Sequence, residues 1–120
     1  MIVGVGVDVV DIDRFAGILQ RSPAVRDRVF TASETDAPPR TLAGRFAAKE
    51  ALAKALGAPE SLSWHDAEVF SGADGRPHLR LSGAIAACAD ELGVVASHLS
   101  IAHDAGIATA FVVLEGTPRA

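Results

Sequence analysis

The chain's only lysines, Lys49 and Lys54, fall in one short stretch, TLAGRFAAKEALAKAL (Thr41 to Leu56), with Glu50 between them and Arg45 just ahead. Cations at this spacing can hold an anionic ligand, and Glu50 can hold a metal. Gly44, Ala43, Ala47, Ala48, Ala51 and Ala55 make up half of the rest. A solvated helix has a broad polar face. Here that face is made of small residues, so other backbone is expected to pack closely on it. Charges on an enclosed helix must be paired or bound to something. As an ordinary surface pair, Glu50 and Lys54 would contribute only roughly 0.2–0.5 kcal/mol. The sharper reading joins Glu50 to Asp8, which follows the apolar run IVGVGV. Two carboxylates are a common protein contribution to a Mg²⁺ that keeps waters and takes substrate phosphates. Lys49 and Lys54 would then face phosphate oxygens, and Arg45 adds a planar fork suited to phosphate.

Other charged groups have plainer readings. Asp8 can also be a solvated strand end. Asp11 and Asp13 lie where a helix begins and favour the positive end of its dipole. Arg14 is either a surface residue or a contact to an acidic partner. His103-Asp104 sits at a turn, where a structural role competes with a binding one. His65-Asp66 reads as structural, and His78 and His98 as ordinary sheet residues. The four histidines are scattered and form no zinc pattern. GVGVDVV does not complete a dinucleotide-binding GxGxxG, no GxxxxGK[ST] occurs, and no serine sits in a GxSxG elbow.

Composition narrows the class. The chain has 120 residues, the size of one domain, here taken as 1–120; 49% of them are hydrophobic and the net charge is -4. No basic run is present, which argues against a nucleic-acid partner. The single Cys88 excludes an intrachain disulfide and a cysteine zinc site, and reads as a small buried hydrophobe. The opening MIVGVGVDVVDIDRF has early acids and no basic n-region, unlike a signal peptide. No apolar run is long enough to span a bilayer. A cytoplasmic, reducing setting is the expectation.

The elements that must position these groups follow from periodicity. Ile2 to Val10 reads as a strand covered on both faces. Asp11 caps a helix over Ile12 to Gln20 with Phe15, Ile18 and Leu19 as its apolar stripe. A short helical piece covers Ala24 to Phe30. Ser33 caps a turn containing Glu34, and Pro38-Pro39 ends it. The long helix runs from Thr41 and stops at Gly57. Trp64 to Phe70 and Pro77 to Leu81 form a hairpin around Ala73-Asp74-Gly75. Ser82 caps a helix to Leu92. Val95 to His103 and Ile107 to Leu114 form a second hairpin, and Gly116 to Ala120 is a frayed tail. This order predicts an α+β domain, a mainly antiparallel sheet packed against a long central helix.

These residues resemble one family closely, the holo-acyl-carrier-protein synthases, the small bacterial type of 4′-phosphopantetheinyl transferase. GVGVDVVDIDRF resembles the family's opening, FTASE its short FTxxE element, and GRFAAKEALAKALG its most diagnostic helix. LSWHDAEV, GRPHLRL and LSIAHDAGIATAFVVLE resemble its later strands in order and spacing. The likeness spans nearly the whole chain. One departure stands out: only TDAPPRTLA separates FTASE from GRFAAKE, where typical members carry a longer charged helical stretch.

The resemblance implies the phosphopantetheinyl transferase fold and the transfer of 4′-phosphopantetheine from coenzyme A to a serine of apo acyl carrier protein, releasing adenosine 3′,5′-bisphosphate. It implies Asp8 and Glu50 as Mg²⁺ ligands, and Lys54 at the phosphate nearer the pantetheine. Arg45 and His103 match positions that bind coenzyme A. Arg14 matches a position that meets the acidic helix of the carrier protein, and Arg21, Arg26 and Arg28 follow it as further local positive charge. A homotrimer with sites between subunits is the implied assembly. The rival reading is a carrier-protein or nucleotide-binding module without catalysis.

Overall fold

The computed structural model describes residues 1–60 and 62–119. The elements in order are β1 (Ile2–Asp11), α1 (Ile12–Arg21), α2 (Ala24–Val29), α3 (Ala32–Thr35), α4 (Pro39–Ala55), a 3₁₀ turn (Trp64–Asp66), β2 (Ala67–Ser71), β3 (Pro77–Leu81), α5 (Gly83–Leu92), β4 (Val94–Asp104) and β5 (Ile107–Gly116). The strands form two antiparallel sheets, one in the order β1-β5-β4 and one made of β2 and β3. The α+β, antiparallel expectation is met. The expected frayed tail is corrected at its start: β5 runs on to Gly116, whose N–H donates to the Met1 carbonyl at 2.9 Å, and Thr117 N–H donates to the Gly93 carbonyl at 3.0 Å; at Ala120 the expectation lies outside the described residues.

Helix α4 lies against β1 and β5 and also touches α1, β2 and β4. Leu42, Ala43, Ala47, Ala48, Ala51 and Leu52 are fully buried on it, together with Val112 and Leu114 of β5. Each buried Leu or Val side chain contributes about 1.5–3 kcal/mol. The expected close packing occurs at β1. A Cβ added to Gly6 would sit 1.8 Å from the Ala51 carbonyl oxygen, and one added to Gly4 would sit 2.1 Å from that of Ala55. Glycine on the strand and alanine on the helix let two backbones touch where larger side chains would hold them apart.

Several boundaries differ from the expectations. Helix α4 begins at Pro39, because proline at the first helical position loses no hydrogen bond. The cap of α3 is Thr31 rather than Ser33: Thr31 and Glu34 form a reciprocal capping box. The Ser33 hydroxyl donates instead to Glu68 at 2.7 Å. Trp64–Asp66 is a 3₁₀ turn ahead of β2, not the start of the strand. Ser82 occupies the cap position of α5 without a side-chain bond; the Asp66 carboxylate accepts from Ala84 N at 3.1 Å in its place.

Strand β1 is not covered on both faces. Gly4, Gly6, Asp8 and Val10 alternate towards α4, while Val5, Val7 and Val9 are 52%, 52% and 60% exposed. Phe111, paired with Val7 across the ladder, shares this outer face and is 47% exposed. The continuous apolar run reflects a second face that a single chain leaves open. Among the described residues, no helix is long and apolar enough to cross a membrane.

Candidate active site

Asp8 and Glu50 meet because β1 and α4 do. Asp8 lies on the face of β1 that approaches α4, in register with Ala110 of β5. Its main-chain oxygen accepts from the Thr109 hydroxyl at 2.9 Å, which fixes the strand there. Glu50 lies on α4 a turn ahead of Lys54. Both carboxylates line a groove of about 300 Å³ with Val10, Arg14, Phe15 and Phe46. Phe15 and Phe46 stack with ring centroids 5.1 Å apart and form its apolar wall. Asp11 caps α1 by accepting from Arg14 N at 2.9 Å, which places the exposed Arg14 on the rim.

Burial pushes the Glu50 carboxyl above the usual glutamate range, and the Asp8 charge pushes it further, with Lys54 opposing. Lys54 Nζ donates to Asp8 Oδ1 at 3.1 Å and to the Val7 carbonyl at 3.0 Å. Its side chain is 52% exposed, so it can turn to a ligand at small cost. Among the described residues, no group of three or more His, Cys, Asp or Glu converges. A pair of crowded carboxylates fits a hydrated Mg²⁺ that fills its remaining positions with water and ligand oxygens.

Arg45 and His103 line a different groove of about 170 Å³, with Thr41, Val69, Phe70, Ser71, Gly75, Pro77 and Ile101. Arg45 donates to the Glu34 carbonyl at 2.6 Å. His103 Nε2 bonds the Arg40 carbonyl at 3.1 Å. The two grooves have no lining residue in common.

Lys49 is not at either groove, which corrects the expectation that it faces phosphate. It is 2% exposed, and Nζ donates to Glu34 Oε1 at 2.7 Å and to the Trp64 carbonyl at 3.0 Å. Burial pushes its ammonium below the ordinary lysine value, and the Glu34 hydrogen bond opposes this. Glu34 also accepts from Thr31 N and Val69 N, both at 2.8 Å. The pair thus ties α3, α4, β2 and the 3₁₀ turn together. Spacing alone does not separate Lys49 from Lys54, since both flank Glu50. The signal that finds Glu34 is the Thr31-x-x-Glu34 capping-box pattern before a helix.

Arg26 is likewise committed to structure, donating to the Thr35 carbonyl at 2.8 Å, whereas Arg21 and Arg28 are exposed. The remaining histidines lie apart: His65 Nε2 bonds the Asp27 carbonyl at 2.6 Å, and His78 and His98 pair with Asp74 and Glu115.

A family model described as the 4′-phosphopantetheinyl transferase superfamily matches residues 4–111. A holo-[acyl-carrier-protein] synthase of Frankia casuarinae is 58% identical over 115 residues, covering 95% of this chain and 98% of the relative. One from Streptomyces griseus is 54% identical over 122 residues, covering 97% and 100%. Among solved structures, the holo-[acyl-carrier-protein] synthase of Neisseria meningitidis superposes with a TM-score of 0.87 at 31% identity, covering 96% of this chain and 99% of that one. The ACPS-CoA complex of Chronobacterium ammoniagenes superposes with a TM-score of 0.84 at 35% identity, covering 95% and 97%.

Removing either member of a buried ion pair leaves an uncompensated charge, at a cost of about 3–5 kcal/mol. Glu34→Gln and Lys49→Met are each expected to lower the unfolding free energy by that amount in urea titrations. A loss below about 1 kcal/mol in both would show that the pair does not hold these elements together.

Proposed function

The chain belongs to the 4′-phosphopantetheinyl transferase superfamily and, within it, to the holo-acyl-carrier-protein synthases, and we propose how its residues divide the work. The reaction transfers 4′-phosphopantetheine from coenzyme A to a serine hydroxyl of apo acyl carrier protein and releases adenosine 3′,5′-bisphosphate. The observation that carries our reading is the meeting of Asp8 and Glu50 in one groove with Arg14 on its rim.

In this reading a single catalytic domain spans residues 1–120 and works in the cytoplasm. Asp8 and Glu50 hold Mg²⁺, which relieves their mutual repulsion. The bound cation would supply charge to the pyrophosphate oxygens and favour departure of the bisphosphate. Lys54 leaves Asp8 for the phosphate nearer the pantetheine, where negative charge gathers as the serine oxygen attacks. Arg45 and His103 hold the adenosine bisphosphate end. Lys49 keeps α4 in place and touches no substrate.

A site between subunits explains why the grooves are separate. The carboxylate groove of one copy is completed by the Arg45–His103 groove of another. Val5, Val7, Val9 and Phe111 form the apolar face that such an assembly covers. A cyclic homotrimer is the assembly we propose. Light scattering is expected to give a trimer mass; a fully active monomer would overturn this.

Incubation with apo carrier protein, coenzyme A and Mg²⁺ is expected to add one phosphopantetheine to the carrier, read by mass spectrometry. No gain with several competent carriers would sink the enzyme reading. Asp8→Asn and Glu50→Gln are each expected to slow transfer by about a hundredfold or more. A binding readout separates this from general damage. The raised carboxyl of Glu50 contributes stability that is present below the ordinary glutamate range and lost as pH rises through its folded value. Mg²⁺ is therefore expected to raise the melting temperature of the wild type more at neutral than at acid pH. Glu50→Gln is expected to lose that pH dependence; an unchanged response would remove Glu50 from the metal site.

The carrier protein is recognised by local charge, since the net charge of the enzyme is -4. Arg14, beside the groove, meets the acidic helix next to the reactive serine. Arg14→Glu is expected to raise the KM for carrier protein about tenfold, equivalent to about 1.4 kcal/mol, and that for coenzyme A far less. Equal effects on the two substrates would rule out a partner-specific contact.

A further inference from the structure

Gly44 is an unexpected residue for the middle of a buried helix, because alanine there would favour the helical state. What lies over it accounts for its presence. A Cβ at Gly44 would sit 2.9 Å from Nε2 and 3.2 Å from Cε1 of His103, and 3.0 Å from Ile101 Cγ2. The imidazole therefore rests directly on the helix surface where the side chain is missing. There Nε2 reaches the Arg40 carbonyl at 3.1 Å, one turn before Gly44.

This contact settles the tautomer. A carbonyl oxygen only accepts, so Nε2 must carry the proton and donate. In the neutral ring Nδ1 then bears the lone pair and faces no protein partner among the described residues; it donates to a phosphate oxygen of the coenzyme once it takes up a proton from solvent, Nε2–H staying on the Arg40 carbonyl. His103 lines the groove shared with Arg45. We propose that Gly44 is a positioning residue for substrate binding: with the Arg40 carbonyl, it seats His103 in one orientation and one tautomer, so that Nδ1 is the atom offered to the coenzyme. The inference rests on the assignment of His103 to coenzyme A made above. The atoms a Cβ would meet are side chain, not backbone: the far end of His103, which can swing, and Ile101 Cγ2, a methyl on a stiffer β-branched side chain. Gly44→Ala therefore swings the imidazole out of its seat and leaves α4 in place.

The test joins a spectroscopic signature to a binding constant. Long-range ¹⁵N–¹H correlation of the histidine rings, in the whole protein at a pH that keeps them neutral, reports which nitrogen carries the proton. The wild type is expected to show His103 with the proton on Nε2. Gly44→Ala is expected to show a mixture of tautomers, with an unchanged thermal melt and about a tenfold weaker Kd for coenzyme A, the size of one lost hydrogen bond to a charged group. A proton on Nδ1 in the wild type, or an unaltered His103 signal in Gly44→Ala, would overturn the proposal. If Gly44→Ala does not fold, the wild-type spectrum decides alone, a proton on Nδ1 overturning the proposal. His103→Ala separates the two claims. If it binds coenzyme A as tightly as the wild type, the assignment of His103 to the coenzyme fails, while the spectra still decide what seats the ring.

Discussion

Backbone contact between β1 and α4 is the constraint on which the rest of this molecule depends. Gly6 and Gly4 admit the Ala51 and Ala55 carbonyls to distances that no side chain would allow. The consequence is chemical as well as structural. Asp8 is two residues beyond Gly6 on the same face of the strand, and Glu50 immediately precedes Ala51 on the helix. Bringing the backbones together places both carboxylates on one groove. Burial does most to raise the Glu50 carboxyl, and the nearby Asp8 charge adds to it, which is the electrostatic cost of that closeness. Larger residues at the glycine positions would separate the strand from the helix, and with them the two acids.

The charges of α4 divide between structure and chemistry by the direction in which each leaves the helix. Lys49 turns into the protein, where Glu34 and the Trp64 carbonyl hold it. Glu34 has its remaining needs met by the main-chain N–H groups of Thr31 and Val69. A buried pair satisfied in this way is costly to break, though not by itself a net source of stability. Its effect is to fix α4 relative to α3 and β2, and so to fix where Glu50, Arg45 and Lys54 emerge. Lys54 leaves on the exposed side, and its bonds to Asp8 and Val7 keep it near the carboxylates.

Two further features support the proposed assembly. The carboxylate groove and the Arg45–His103 groove are distinct surfaces. The outer face of the three-stranded sheet carries Val5, Val7, Val9 and Phe111 uncovered. In a small domain there is little volume in which to enclose charges and cover every apolar face. The site between copies proposed above would satisfy both demands at once.

Much of this was legible in the sequence. The strand and helix order, the antiparallel hairpins and the Asp11 cap follow from local patterns that act over a few residues. The alanine and glycine content of GRFAAKEALAKAL announced an enclosed helix, and Asp8 and Glu50 stood out as carboxylates in apolar surroundings. What the sequence did not determine is direction. Lys49 and Lys54 flank the same glutamate, yet one is buried with Glu34 and the other is exposed. The capping group of α5 is Asp66, from a turn far away in sequence, rather than the adjacent Ser82. Arg26 reads as surface charge but spends itself on the Thr35 carbonyl. The valines of β1 read as buried on both sides but cover only one. Each of these outcomes depends on which distant backbone or side chain arrives at a given face, and that is decided by tertiary packing, because a charge or apolar group takes the partner brought to it in space rather than the neighbour it has in sequence.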